Sequence, residues 1–502
     1  MKRKISQILR RKKKQAEKRL ARKHYADQER PMFQASNIIY DLAEKTSAVV
    51  YGGIGAIHRL VRKLKLDQAI NQEIRLLKSH VPYYESDHVL NMTYNLLCGG
   101  THLEDLERLR QDENYAKGLG AERIPDPTTA GDFLRRFKEE DVGQLQEVIN
   151  TTRQKIWDRQ GESFHQEAIL DVDGTIAGTT GECKEGMDRA YNGEWGYAPL
   201  LISLAQTKEV LYLVNRPGNR PSSDGAAEWI DRAIGLVRGK FEKIWLRGDT
   251  DFSMTGHLDR WDAQQVGFVL GYDACPNLKS KAEALPERAW SAMQRPARYE
   301  VQTSGRERPE KVKERIVRQR EYTNIRLQSE HVAEFEYQPT QCRRKYRMVV
   351  LRKNLSIEKG IRLLFDDIRY FFFITNDRER SAQEVVLFAN DRCNQENLIG
   401  QLKSGVHALG MPSNGLVSNW AYMVMAALAW NLKAWYGMIM PEAAARQAVL
   451  RMEFKRFLQN FLLLPCQIVN SGRRIVFRII TYSTALKDFF VTWERIRTLS
   501  FP

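Results

Sequence analysis

The chain has 502 residues, enough for several domains, and carries 78 Lys and Arg against 62 Asp and Glu, a formal net charge of +16. A 43% hydrophobic content excludes a chain disordered throughout, and the basic excess points to an anionic partner, nucleic acid first. Six scattered cysteines lack CxxC pairs or histidines at zinc spacing, which argues against a disulfide framework or zinc site and for a reducing cytoplasm.

Residues 1–35 form a basic tail, in which positions 1–24 hold twelve Lys or Arg and one acid, Glu17. The run Arg10, Arg11, Lys12, Lys13, Lys14 repels itself in a bare helix, so disorder or a frayed helix is expected in isolation. Along phosphates the same run releases counterions and gains salt-sensitive affinity. Residues 36–150 read as helical. Ile57, Leu60, Val61 and Leu64 repeat at helical spacing; Ser86 can cap a helix with Val89, Leu90, Tyr94 and Leu97 on one face. Pro125 to Thr129 breaks the chain before Phe133, Leu134 and Phe137, with Arg135 and Arg136 facing elsewhere. Short helices with basic faces suit a DNA-binding domain of helix-turn-helix type, although a plain helical scaffold reads the same way.

From 165 the rhythm changes. Strands are predicted at 168–173, 200–205 and 210–215, a helix at 226–241, a strand at 243–249, a helix at 254–264 and a strand at 266–272. The order β-β-β-α-β-α-β over 165–272 is that of an α/β ribonuclease-H-like (retroviral-integrase-like) core. Residues 273–368 interrupt it as a mainly β insertion with basic faces. The core resumes over 369–440, first as a strand at 369–375 and then as a helix over 381–409. An apolar helix at 416–440 contains Asn419, Asn431 and Lys433, which favours a buried core helix over a membrane span. Residues 441–502 read as a helix followed by short strands.

The chemistry gathers at three places. In Ile169–Thr175 an apolar strand ends in Asp171 and Asp173, two residues apart and therefore on one face. Carboxylate oxygens collected there are hard ligands for Mg2+ or Mn2+. Asp249 ends the strand Leu246-Arg247-Gly248-Asp249, where open α/β sheets present ligand sites; Asp251 is a weaker competitor. On the 381–409 helix, steps of four and seven put Arg392, Glu396 and Lys403 within roughly 60° of one another. An ion-pair ladder has the same spacing.

Asp173-Gly174-Thr175, Leu246–Asp249 and Arg392-x3-Glu396-x6-Lys403, in this order and with a β insertion before the third, resemble the signature of DDE transposases of bacterial insertion sequences. The likeness is to the group-1 transposase DDE domain, related to the Y-R-E-K transposases, and includes Ser86–Leu90, Asp126–Thr129 and Tyr191–Gly193. The family tyrosine is replaced by Ala389, with Phe388 beside it. The resemblance implies Asp173, Asp249 and Glu396 as catalytic, metal-binding residues for two Mg2+ ions, with Mn2+ able to substitute. It makes Asp171 more a structural or supporting acid than a ligand, without removing it from the site, and gives Arg392 and Lys403 to DNA phosphates. It further implies double-stranded DNA (transposon ends and target) as partner, a synaptic homodimer, no membrane, and a bacterial, nucleoid-associated location. The activity so implied is binding of terminal inverted repeats, cleavage, and transfer of 3′-OH strands to target DNA. In the family an aromatic of the β insertion can stack a displaced base; Trp261 and Trp290 are candidates by location, although a core tryptophan is the more frequent case. Two other readings keep the same residues: a ribonuclease-H-like nuclease without strand transfer, and a catalytically idle DNA-binding derivative.

Overall fold

A computed structural model describes residues 3–21, 38–40, 46–295, 326–358 and 361–501. The basic clusters expected at 306–313, and the tail from 22 to 35, lie outside the described residues.

Long apolar runs become the strands of one nine-stranded sheet. Its strands are β1 (Glu167–Gly174), β2 (Leu200–Leu204), β3 (Glu209–Val214), β4 (Lys243–Gly248), β5 (Val266–Tyr272), β6 (Ser291–Ala292), β7 (Arg326–Tyr337), β8 (Tyr346–Glu358) and β9 (Ile361–Thr375). Across the sheet the order is β6-β7-β8-β9-β5-β4-β1-β2-β3. β1, β2 and β3 pair antiparallel, while β4 runs parallel to β1 and β5 parallel to β4. Every residue of β2 and β3 is buried, as expected where helices cover both faces. Within this sheet the predicted β-β-β-α-β-α-β order is the observed one; three short strands, Ala177–Gly178, Asp188–Arg189 and Trp195–Tyr197, form a separate small sheet between β1 and β2 in the chain.

The β insertion is continuous with this sheet. β9 runs through position 368, where the sequence reading placed a boundary. Its final residues, Phe372 to Thr375, pair antiparallel with Tyr272 to Val269 of β5. Ile374 and Phe372 of that segment are buried, so the strand belongs to core and insertion together.

Two helical expectations need correction, and the basic tail takes a defined place. The 381–409 segment is two helices, Ala382–Asn390 and Cys393–Ser404, broken at Asp391 and Arg392. Ser381 does cap the first, accepting from Glu384 N while the Glu384 carboxylate returns to Ser381 N. The helix expected from Ser86 starts at Glu85, with Tyr84 as its N-terminal cap residue; Ser86 instead donates its backbone N–H to Asn71 Oδ1 at 2.8 Å. Residues of the basic tail form an 18-residue helix, Arg3–Leu20, because Ile5, Leu9, Lys12 and Ala16 make a half-buried stripe.

The Leu416–Ile439 helix is buried along nearly its whole length. Among the described residues no helix is long and apolar enough to cross a membrane. Its polar residues are satisfied inside the protein: Asn431 Nδ2 donates to Val210 O at 3.0 Å, and Lys433 Nζ donates to Leu450 O and lies 3.7 Å from the Trp430 ring centroid. The C-terminal residues close back on residues 48–53. Strand Cys466–Ser471 pairs antiparallel with Ala48–Val49, and Gly52 and Gly53 donate to Leu464 O and Leu462 O at 3.0 Å. A Cβ on Gly53 would fall 1.8 Å from Phe461 O, so only glycine permits that approach.

One fully buried carboxylate joins the helical N-terminal region to the sheet. Glu209, at the start of β3, accepts from Arg153 Nε at 3.0 Å, Trp157 Nε1 at 3.0 Å, Trp435 Nε1 at 2.7 Å and Thr207 Oγ1 at 2.6 Å. Arg153 and Trp157 come from the Glu139–Trp157 helix and Trp435 from the Leu416–Ile439 helix. Glu209→Ala leaves a buried guanidinium and two indole N–H groups without their acceptor. It is expected to destabilise the fold by about 3–5 kcal/mol in urea titrations, with a smaller loss when Arg153→Met accompanies Glu209→Leu.

Candidate active site

The parallel register of two strands builds the site. Leu170 pairs with Leu246 and Asp171 with Arg247. Two residues further along each chain stand Asp173, still in β1, and Asp249, just past the end of β4, at the C-terminal ends of neighbouring strands and near enough for the Asp249 charge to act on Asp173. Gly271 on β5 allows the Asp249 turn to sit close; a Cβ there would lie 2.9 Å from Thr250 N. Asp249 Oδ1 accepts from Asp251 N at 3.1 Å and so caps the short Thr250–Phe252 turn.

Asp171 has another job. Its two oxygens accept from Arg247 Nε at 2.7 Å and Nη2 at 3.0 Å, with both side chains almost fully buried. Arg247 Nη1 also donates to Phe388 O at 2.9 Å. Burial pushes the Asp171 carboxyl up while the Arg247 guanidinium opposes the shift. A carboxylate whose two oxygens hold a fork of guanidinium N–H groups is a structural anchor, not an open ligand.

Asp173 faces outward from that anchor and accepts from Arg392 Nη1 at 2.9 Å. Its pKa is raised to about 6. Burial is the main cause, Arg392 pulls it back, and the facing Asp249 carboxylate adds to the rise. Asp249 is also raised, again chiefly by burial, with Arg392 opposing. Two desolvated, mutually repelling carboxylates with one guanidinium between them make a donor set that fits a divalent cation, which would relieve the repulsion with hard oxygen ligands.

The break at Asp391 and Arg392 explains where the helical residues go. Backbone bonds Arg392 N to Ala389 O and Gln395 N to Arg392 O tighten the chain there. The turn aims Arg392 at Asp173 and sends Gln395 inward, where its Nε2 donates to Asp171 O at 2.9 Å. Glu396 lies on the exposed first turn of the second helix, and Lys403 is exposed in its last turn. The single ridge inferred from ideal helical geometry is therefore interrupted after Arg392. Among the described residues no three His, Cys, Asp or Glu side chains are gathered closely enough to hold a metal ion. The structure brings Asp173 and Asp249 together and leaves Glu396 outside their cluster.

Other candidates fall as follows. Trp261 is fully buried and donates to Asp231 Oδ1 at 2.9 Å, a core tryptophan. Trp290 is covered by the Arg352 guanidinium at 4.3 Å and leans on Tyr370. Phe388 lies under Arg247 at 4.8 Å and Arg380 at 4.2 Å, and Ala389 packs on the small cluster containing Val269 and Val385. Arg135 is ion-paired with Asp132, and Arg136 is exposed. The Glu85–Leu97 helix is buried almost throughout, so it presents no face to a DNA groove. Sequence reading missed Arg247 and Gln395 as site-building residues. The signal for Arg247 was a lone guanidinium inside an apolar strand, two residues before an acid.

The family described as Transposase DDE domain group 1 matches residues 46–501, and the chain belongs to that family. Among solved structures, a piggyBac transposase synaptic complex with hairpin DNA is similar at 11% identity, with a TM-score of 0.35 over 83% of each chain. No curated protein matches this chain.

The raised Asp173 carboxyl has a measurable sign. Folding favours its neutral form, so its contribution is full below the ordinary aspartate range and is lost as pH rises through about 6. In chelator at pH 7.5, Asp173→Asn is expected to raise stability by about 1–3 kcal/mol, with little difference at pH 3.5, as read by urea denaturation. Asp171→Ala is expected to act oppositely, lowering stability by about 3–5 kcal/mol near neutral pH because it strands Arg247.

Proposed function

We propose that this transposase-family chain acts on double-stranded DNA. In this reading it binds the terminal inverted repeats of an insertion sequence, cleaves at the ends and joins the 3′-OH strands to target DNA. The observation that carries the reading is the strand register that sets Asp173 and Asp249 at neighbouring strand ends beside Arg392. β3-β2-β1-β4-β5 is the strand order of a ribonuclease-H-like core, which supports phosphodiester chemistry at this sheet end.

Asp173 and Asp249 would hold divalent metal, Mg2+ with Mn2+ able to substitute, and Glu396 is the proposed third carboxylate. Two such ions, when bound, supply activation of the attacking oxygen and stabilisation of the leaving oxygen. The chain's own groups do the remaining work. Asp171 and Arg247 hold the two strand ends in register. Arg392 meets the negative charge around the scissile phosphate, and Lys403, further along the same helix, meets flanking phosphate. The turn at Asp391 and Arg392 is the hinge by which Glu396 joins the aspartates when DNA is bound. A synaptic homodimer is the proposed assembly.

A plasmid with a marker between the DNA flanks natural to this gene tests the reading, with Mg2+ supplied. The wild type is expected to excise and join. Asp173→Asn, Asp249→Asn and Glu396→Gln should each lose activity by about 10²-fold or more while still shifting end-bearing DNA in gels. Retained activity in Glu396→Gln would place the third carboxylate elsewhere. Cutting without joining in the wild type would establish the nuclease reading instead.

A further inference from the structure

Among the described residues, several exposed arginines have a carboxylate partner. Arg110 pairs with Glu107, Arg220 with Asp224, Arg232 with Glu228, and Arg497 with Glu494. Two elements instead carry clusters of cations with few acids among them. On the Arg3–Leu20 helix, among the described residues, only Lys13 has an acid, Glu17, at 3.6 Å. On the C-terminal hairpin of strands Cys466–Ser471 and Arg474–Ile479, three arginines are exposed with no acid in the hairpin sequence: Arg473, Arg474 and Arg478. Among the described residues neither Arg473 nor Arg474 has an ion pair, and Arg478 touches only Gln467 Oε1 at 3.4 Å.

These two elements meet. Lys12 Nζ donates to Ile480 O, the residue just after the second hairpin strand. Lys12 belongs to the half-buried stripe of the helix, so docking leaves Arg10, Arg11, Lys13 and Lys14 exposed beside the hairpin. Arg474–Ile479 is also the edge strand of its three-stranded sheet. Arg474, Val476 and Arg478 alternate with Phe477 and Ile479, which are half-buried on the opposite side. Phe477 fixes that side by packing against Gly55 and Gly118 in the helical region; Cβ atoms there would lie 2.9 and 3.0 Å from its ring. The hairpin is thus firmly based, and its cations project from a rigid strand.

We infer that the Arg3–Leu20 helix and the 466–479 hairpin form one composite surface that binds the phosphates of duplex DNA without reading its sequence. The inference rests on the proposal that DNA is the partner, and adds a second binding element formed from the chain's two ends. Unpaired cations at helical and strand spacing supply charge for phosphate contacts, which carry no sequence information. The location at the clasp between residues 48–49 and 466–467, away from the Asp173 cluster, suits flanking or target DNA.

The test is fluorescence anisotropy of the full-length protein with two labelled 30-bp duplexes, one carrying an element terminus and one of scrambled sequence, across a salt series. Loss of three phosphate contacts in Arg473→Ala/Arg474→Ala/Arg478→Ala should flatten the log–log salt slope by about 2.7 and weaken both duplexes by roughly a hundredfold at 0.1 M salt. The Arg→Lys triple variant should restore most of the slope. All three sites are exposed, so an unchanged melting temperature is expected and checks folding. A triple variant with wild-type slope overturns the composite surface while leaving the DNA reading intact. Loss confined to the terminus-bearing duplex overturns the sequence-independent assignment. Wild-type protein with no salt-dependent DNA binding would instead sink the transposase reading itself.

Discussion

The buried pair Asp171–Arg247 is the constraint on which the candidate site depends. Desolvating two charges is costly, and the pair persists because the fork geometry is good and the third guanidinium nitrogen finds Phe388 O. The arrangement fixes three things together: the register of β1 against β4, the depth of both strands, and the end of the Ala382–Asn390 helix. With those set, Asp173 and Asp249 have one relative position, and the turn that follows Phe388 delivers Arg392 onto Asp173. The ion pair contributes less as stability than as specification of where the reactive carboxylates stand.

A second buried charge does similar work on the opposite side of the sheet. Glu209 gathers donors from two long helices and turns three separate layers into one body. Together the two networks explain why an otherwise apolar interior tolerates charge. Each carboxylate is saturated with N–H donors, so neither is free to bind an ion. The carboxylates that remain unsaturated, Asp173 and Asp249, are those at the strand ends where DNA and metal would arrive.

The order of core elements was legible because strand and helix periods are local properties. The runs at 169–173, 210–214 and 266–272 are apolar and bounded by turn residues, and both aspartates of the cluster stand at strand ends in plain view. What stayed hidden was set by partners distant in sequence. No local rule says that a helix over 381–409 must break; it breaks because Arg392, Gln395 and Phe388 O each answer a group on the sheet. The basic tail was expected to be disordered or frayed in isolation; in the fold, half-buried Ile5 and Leu9 find a surface that one segment cannot reveal. Strand β9 runs across position 368 for a similar reason, since β5 offers its end an edge. The Glu209–Arg153 contact joins residues 56 positions apart, which no local pattern announces.

The clasp between the two ends of the chain has a consequence for synthesis. Ala48–Val49 is completed by a strand that begins at Cys466, and Lys12 waits for Ile480, 468 positions later. At ribosomal rates of about 5–20 residues per second, the first helices emerge roughly 20–90 s before their C-terminal partners exist. During that interval the nascent chain holds an unfinished amino-terminal sheet and an undocked basic helix. Any activity that needs the finished clasp therefore waits until residues 466–480 have been made, and a chain terminated before them would lack it while still carrying Asp173, Asp249 and Glu396.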